Sequence, residues 1–151
     1  MSPSAELPRD ASLGYQANHL ARLLAIALRD RLRPYGVVPG QFAQLLALYE
    51  ADGLIQAELC ELVRIEQPTM ANTLARMQRD GLIVRTPDPD DGRRSLVRLT
   101  ETARALEPQL VEAARAVNAS ATEGMSASEI TSFMTTLARM VANLEASSGS
   151  D

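Results

Sequence analysis

Thr69, Asn72, Thr73 and Arg76 recur at i, i+3, i+4 and i+7. On a helix this spacing places them along one face. Their chemistry suits the edges of base pairs. A carboxamide can bond adenine through both its donor and its acceptor, a threonine methyl can meet the thymine methyl, and a guanidinium takes guanine or phosphate. A polar helix face is ordinarily no more than a solvated surface. This one is followed by Thr86-Pro87-Asp88-Pro89-Asp90-Asp91-Gly92 and then by Arg93 and Arg94, a turn-forming run that ends in cations. Asp91 and Arg93 are two residues apart, so the carboxylate is expected to orient the Arg93 guanidinium while Arg94 points elsewhere, toward a phosphate.

Other chemistries find less support. Catalysis needs a nucleophile with a base, an acid–base pair or a metal. The chain has one histidine, one cysteine and no G-x-S-x-G or glycine-rich phosphate loop, so no enzyme and no cofactor are expected. One histidine and one cysteine cannot build a structural zinc site, which takes about four nitrogen or sulfur ligands. The acids Asp88, Asp90 and Asp91 lack the closing glutamate of a calcium loop, where Arg98 and Leu99 stand instead, so no metal is expected. Cys60, between Leu59 and Leu62, reads as a small core residue, with a redox sensor as the alternative. Tyr15, His19 and Arg22 fall at i, i+4 and i+7 and could together pair with the carboxylate of a small molecule. The competing reading is a solvated or inter-subunit face.

The 151 residues are about one domain long, with 46% apolar and 23% charged residues, near the globular average. Net charge is −4, which argues against a nucleic-acid binder until its distribution is considered. Residues 64–104 hold eight arginines and six acids, while both flanking segments are net acidic. Every basic residue is arginine, the side chain suited to bidentate contacts with phosphate and guanine. A single cysteine rules out an internal disulfide and suits a reducing compartment. No apolar run approaches the ~18 residues of a membrane span, and the first dozen residues lack the pattern of a secretion signal, so a cytoplasmic location is expected.

Hydrophobic periodicity predicts the elements that must position these side chains. Residues 1–11 read as a flexible arm. Leu20, Leu23, Leu24, Ala27 and Leu28 mark a long amphipathic helix over 12–33, stopped by Pro34 and Gly36. Pro39 opens a second helix that Asp52-Gly53 ends. Helices over 56–63 and 67–79 follow, separated by Arg64-Ile65-Glu66, the connection of a helix-turn-helix. Met70, Leu74 and Met77 are the buried stripe of the second, and Gly81 closes it. Leu82–Arg85 and Ser95–Leu99 read as the strands of a hairpin. Thr100 caps a fifth helix, and Ser126 with Glu129 forms a capping box for a sixth, whose stripe is Ile130, Phe133, Met134, Leu137, Val141 and Leu144. Residues 147–151 are expected to be a flexible tail.

Helix-turn-helix followed at once by a hairpin is the winged-helix order. The run IQAELCELVRIEQPTMANTLARMQRDGLIVRTPDPDDGRRSLVRLT closely resembles the core of MarR-type bacterial transcription regulators. Its most specific parts are EQPTM at the start of the recognition helix and a wing carrying the D-x-R-x5-L-T pattern as Asp91, Arg93, Leu99 and Thr100. The resemblance runs from about Gly14 to Leu144.

It implies a mainly α fold with a small β-hairpin wing. A winged helix-turn-helix lobe would span 38–100, with dimerisation helices over 12–37 and 101–146. It further implies a homodimer on a palindromic double-stranded operator. DNA would be touched by Gln67, Pro68, Thr69, Asn72, Thr73, Arg76, Arg79, Asp91, Arg93 and Arg94. The expected function is a repressor released by a small-molecule effector, an aromatic acid held near Tyr15, His19 and Arg22. A redox-responsive regulator acting through Cys60 and a winged-helix protein-interaction module without DNA binding are the alternatives. Three positions depart from the pattern: Arg64 and Ala103 stand where glycine is usual, and Cys60 where alanine is. If the turn at Arg64 needs a positive φ, arginine costs about 1 kcal/mol or more there.

Overall fold

The computed structural model describes residues 6–149. Helices α1 (Leu13–Leu32), α2 (Pro39–Glu50), α3 (Gln56–Val63) and α4 (Gln67–Arg79) come first. Strands β1 (Ile83–Pro87) and β2 (Ser95–Leu99) follow, then helices α5 (Glu101–Ala121) and α6 (Ala127–Ser148). This is a mainly helical chain with one antiparallel hairpin. It divides into two units, the first ending at Val117 and the second beginning at Asn118.

Local chemistry accounts for the boundaries. The Ser12 Oγ accepts the Tyr15 backbone N–H at 3.3 Å and starts α1. Pro39 starts α2 at a position whose missing N–H has no helical partner, and the Gln41 Oε1 accepts the Val38 N–H at 3.3 Å. Gly81, at φ 76°, ends α4, and Leu82 N–H reaches back to the Met77 carbonyl at 2.9 Å. Arg64 ends α3 at φ 60° and ψ 47°, the left-handed conformation that favours glycine. The turn therefore does need a positive φ, and it is made with an arginine at a backbone cost of about 1–2 kcal/mol.

In the first unit, Leu45 and Leu48 of α2, Leu59 of α3, and Met70, Leu74 and Met77 of α4 are fully or almost fully buried. They meet Leu82, Ile83, Val97 and Leu99 from the hairpin and Ala103 and Leu110 from α5 in one core. Full burial of each larger side chain stabilises the fold by about 1.5–3 kcal/mol. Ala103, at 0% exposure, is fully buried in this core. Strand register pairs Ile83 with Leu99 and Pro87 with Ser95. A third edge is added by Leu54, which bridges Val97. Pro108 lies inside α5 without ending it.

In the second unit α6 is capped as expected. The Ser126 Oγ accepts the Glu129 N–H at 3.1 Å and donates to the Glu129 carboxylate at 3.2 Å. None of its residues is buried; Phe133, Met134, Leu137 and Leu144 are all exposed.

Two expected boundaries move. The helix runs through Ser148 rather than stopping before 147, and the Ser147 and Ser148 hydroxyls donate to the carbonyls of Asn143 and Leu144, both at 3.0 Å. Within the expected arm, Arg9–Ala11 form a 3-10 turn, to which the Gln16 Nε2 donates at the Asp10 carbonyl at 3.3 Å. Residues 1–5 and 150–151 of the two expected flexible segments lie outside the described residues.

Candidate nucleic-acid interface

Burying Met70, Leu74 and Met77 turns the opposite side of α4 outward. Gln67, Pro68, Thr69, Asn72, Arg76 and Arg79 are exposed there, while Thr73 is half-buried. The i, i+3, i+4 pattern thus survives folding, with Thr73 at its inner margin.

Polar bonds hold this helix at both ends. At its start, the Gln56 Nε2 of α3 donates to the Gln67 Oε1 at 2.9 Å, and the Arg85 guanidinium of β1 donates to the Gln56 Oε1 at 3.4 Å. At its end, the buried Gln41 donates to the Asp80 Oδ2 at 2.9 Å. Behind it, Asp52 joins three elements. Its Oδ1 accepts the N–H of Gly53 and of Leu99, each at 2.9 Å, and its Oδ2 takes the Arg104 guanidinium. The Tyr49 hydroxyl donates to the Ala103 carbonyl at 2.5 Å and ties α2 to α5. Burial, reinforced by the Glu107 carboxylate, pushes the Tyr49 phenol from 10.0 up to about 12.

The wing overturns one expectation. The Asp91 Oδ1 accepts the backbone N–H of Arg93 at 3.1 Å, not its guanidinium. The guanidinium that is held belongs to Arg94, which lies 3.1 Å from the Asp88 Oδ2 and 3.6 Å from the Asp91 Oδ2. Asp88 is buried, and its Oδ1 also accepts the Asp90 N–H at 2.9 Å. The reason is the path of the tip. Backbone bonds between Asp88 and Arg94 and between Arg94 and Asp91, both at 3.0 Å, fold the acids over Arg94. The side chain of Arg93 is left outside that clip and exposed.

The other arginines near the interface are engaged. Arg79 lies 3.6 Å from Asp80, Arg98 donates to the Thr86 Oγ1 at 3.1 Å, and Arg104 meets Asp52. Among the described residues, Arg76 and Arg93 have guanidiniums with no ion pair or hydrogen bond to the protein.

A model of the MarR family matches residues 35–94, which covers this helix-turn-helix and most of the wing. The crystal structure of a probable transcriptional regulator from Pseudomonas aeruginosa is 31% identical. It superposes with a TM-score of 0.81, over 88% of this chain and 99% of that one. The chain belongs to the MarR family.

Among its relatives, the HTH-type transcriptional repressor NicR of Pseudomonas putida is 30% identical over 67% of this chain and 64% of its own length. The chain thus spans somewhat less than two thirds of that curated relative. The Streptomyces coelicolor regulator PcaV, solved in complex with its natural ligand, is 28% identical. Its TM-score is 0.79, over 92% of this chain and 97% of that one.

On this MarR fold the remaining candidates are placed as follows. Tyr15, His19 and Arg22 are all exposed along α1. An open cleft of about 560 Å3 lies farther along, lined by Asp30, Arg31 and Tyr35 on one side and by Pro108, Gln109 and Glu112 of α5 on the other. Arg22 precedes Asp30 by about 12 Å of helix, so the structure does not bring the three residues into this cleft. Cys60 is 9% exposed and packs in the core, the environment of a small apolar residue. Among the described residues no group of histidine, cysteine and acid side chains could hold a metal, and no helix is long and apolar enough to cross a membrane.

Sequence reasoning missed Gln56, Arg85 and Asp52. A lone glutamine or arginine carries no periodic signal, and their partners lie 11, 29 and 47 residues away in the chain.

Proposed function

We propose that this chain is a dimeric, sequence-specific DNA-binding repressor of transcription, acting in the cytoplasm and released from its operator by a small-molecule effector. The observation that carries the reading is the pair of unpartnered cations, Arg76 on the outer face of α4 and Arg93 on the wing tip, in a segment whose other arginines are engaged. In a winged helix, α4 enters the major groove and the wing reaches the flanking backbone or minor groove. Thr69 and Asn72 then face base edges, with Gln67, Pro68 and Thr73 beside them. Arg76 and Arg79 meet phosphate. Arg93 enters the minor groove, and Asp91 and Arg94 hold the tip in shape.

The exposed Phe133, Met134, Leu137 and Leu144 stripe supports a second copy as partner, because an obligate interface of about 2,000 Å2 would cover it. Two-fold symmetry implies a palindromic operator with half-sites about 34–36 Å apart. For the effector, Tyr15, His19 and Arg22 offer two aromatic rings and a guanidinium on one face, a set suited to an aromatic acid.

The test is retention of a randomised duplex DNA library across a salt series. The wild type should hold duplex with affinity that falls steeply with salt, and Arg76→Ala or Arg93→Ala should each lower the slope by about one. No retention at any salt concentration would refute the reading. Addition of benzoate-type acids to the bound library tests release.

A further inference from the structure

We infer that Arg85, acting through Gln56, sets which bases Gln67 can read. The inference rests on the DNA-binding reading and adds a direction to it. An arginine guanidinium has only donors. Because Arg85 donates to the Gln56 Oε1 at 3.4 Å, the amide of Gln56 can have only one orientation, with its nitrogen toward α4. That nitrogen lies 2.9 Å from the Gln67 Oε1 and 3.5 Å from the Gln67 carbonyl. The oxygen of the Gln67 carboxamide is therefore drawn toward α3, and its NH2 is the end that faces away.

Gln67 is exposed at the first position of α4, two residues before Thr69. A glutamine free to turn reads adenine with its oxygen and nitrogen together. With its oxygen engaged, Gln67 offers the groove donors alone. Donors match the guanine O6 and N7, the thymine O4 and the adenine N7, and they fail against cytosine, whose major-groove edge carries only an amine. Arg85 and Gln56 are thus positioning residues: the polarity of a side chain on β1 passes through α3 and emerges as a base preference.

Selection of bound sequences from a randomised duplex library tests this, using the full chain. Gln67→Ala identifies the base step that depends on this side chain. At that step the wild type should disfavour cytosine against guanine or thymine by about fivefold or more, the low end of what one base contact is worth. Gln56→Glu keeps an acceptor for Arg85 but has no donor for Gln67. The Gln67 amide must then turn over to donate, and the preference at the same step should invert, with cytosine favoured over guanine and thymine. A carboxylate in the first turn of α3 is favoured by the helix dipole, so this variant should fold. Arg85→Ala and Gln56→Met remove the direction altogether and should flatten the preference to less than about twofold.

A step-specific inversion is a change that loosened packing would not produce. An unchanged preference in Gln56→Glu, with its circular dichroism intact, overturns the inference and leaves the DNA-binding reading standing. Failure of the wild type to retain any duplex overturns both.

Discussion

The winged-helix lobe and α6 draw on the same kinds of apolar side chain and use them differently. In the lobe, Leu45, Leu74, Met70 and Met77 are all at 0% exposure, in one core built from five helices and a hairpin. On α6, Phe133, Met134 and Leu144 remain 55%, 56% and 71% exposed. One region is satisfied by its own chain, whereas the other presents a stripe of equal quality to water. An apolar stripe states that a face needs covering but does not state by what. The lobe's stability should therefore depend on its own packing, and that of α6 on a partner.

The contrast can be broken or sharpened by substitution. The largest effect is expected for Leu74→Ala, which should lower the unfolding free energy of the lobe by about 2–5 kcal/mol in urea titration. A loss below about 1 kcal/mol would mean that the lobe is not close-packed around α4. Next comes Asp52→Ala, which leaves the buried Leu99 N–H without its acceptor and should cost about 1–3 kcal/mol.

Tyr49→Phe should cost about 0.5–1.5 kcal/mol through the lost bond to the Ala103 carbonyl. It also carries a pH signature. The folded protein holds the Tyr49 proton more tightly than the unfolded chain. The associated stability is complete below the ordinary value of 10.0 and is lost as pH rises through about 12. The wild-type urea midpoint should fall across that window more than the midpoint of Tyr49→Phe, and parallel curves would exclude the assignment.

The smallest effect on folding is expected for Phe133→Glu, within about 0.5 kcal/mol for an exposed position. Under the proposed dimer, sedimentation should show its mass falling from two copies to one. A core-sized loss of stability with no change in mass would erase the contrast between the two regions.

How far the sequence was legible follows the same division. Helices and strands were readable to within a few residues because their signals are local: Pro39 and Ser126 at helix starts, Gly81 at an end, alternation in Ser95–Leu99. The outer face of α4 was readable because the inner one is strictly periodic. The wing was misread because adjacent arginines are equivalent on paper. Which of Arg93 and Arg94 is held depends on how the backbone from Asp88 to Arg94 folds back on itself, and spacing alone does not carry that. The Leu54 bridge was invisible for a related reason, since one residue is too short for any period to register. Tyr15, His19 and Arg22 share a face as their spacing requires, yet a shared face does not make a cavity.

The clip that Asp88 and Asp91 close over Arg94 also bears on the thermodynamics of association. Ordering a backbone residue costs about 1–2 kcal/mol of entropy at room temperature, so a floppy tip of several residues would charge that amount to each encounter with a ligand. Here the cost is met once, when the hairpin folds. Under the proposed DNA binding, calorimetric binding entropy and heat capacity should then carry no contribution from ordering of this loop, and association should not wait on it. Loosening the clip would move that cost from folding to recognition: the free protein would change little, and the complex would form more slowly.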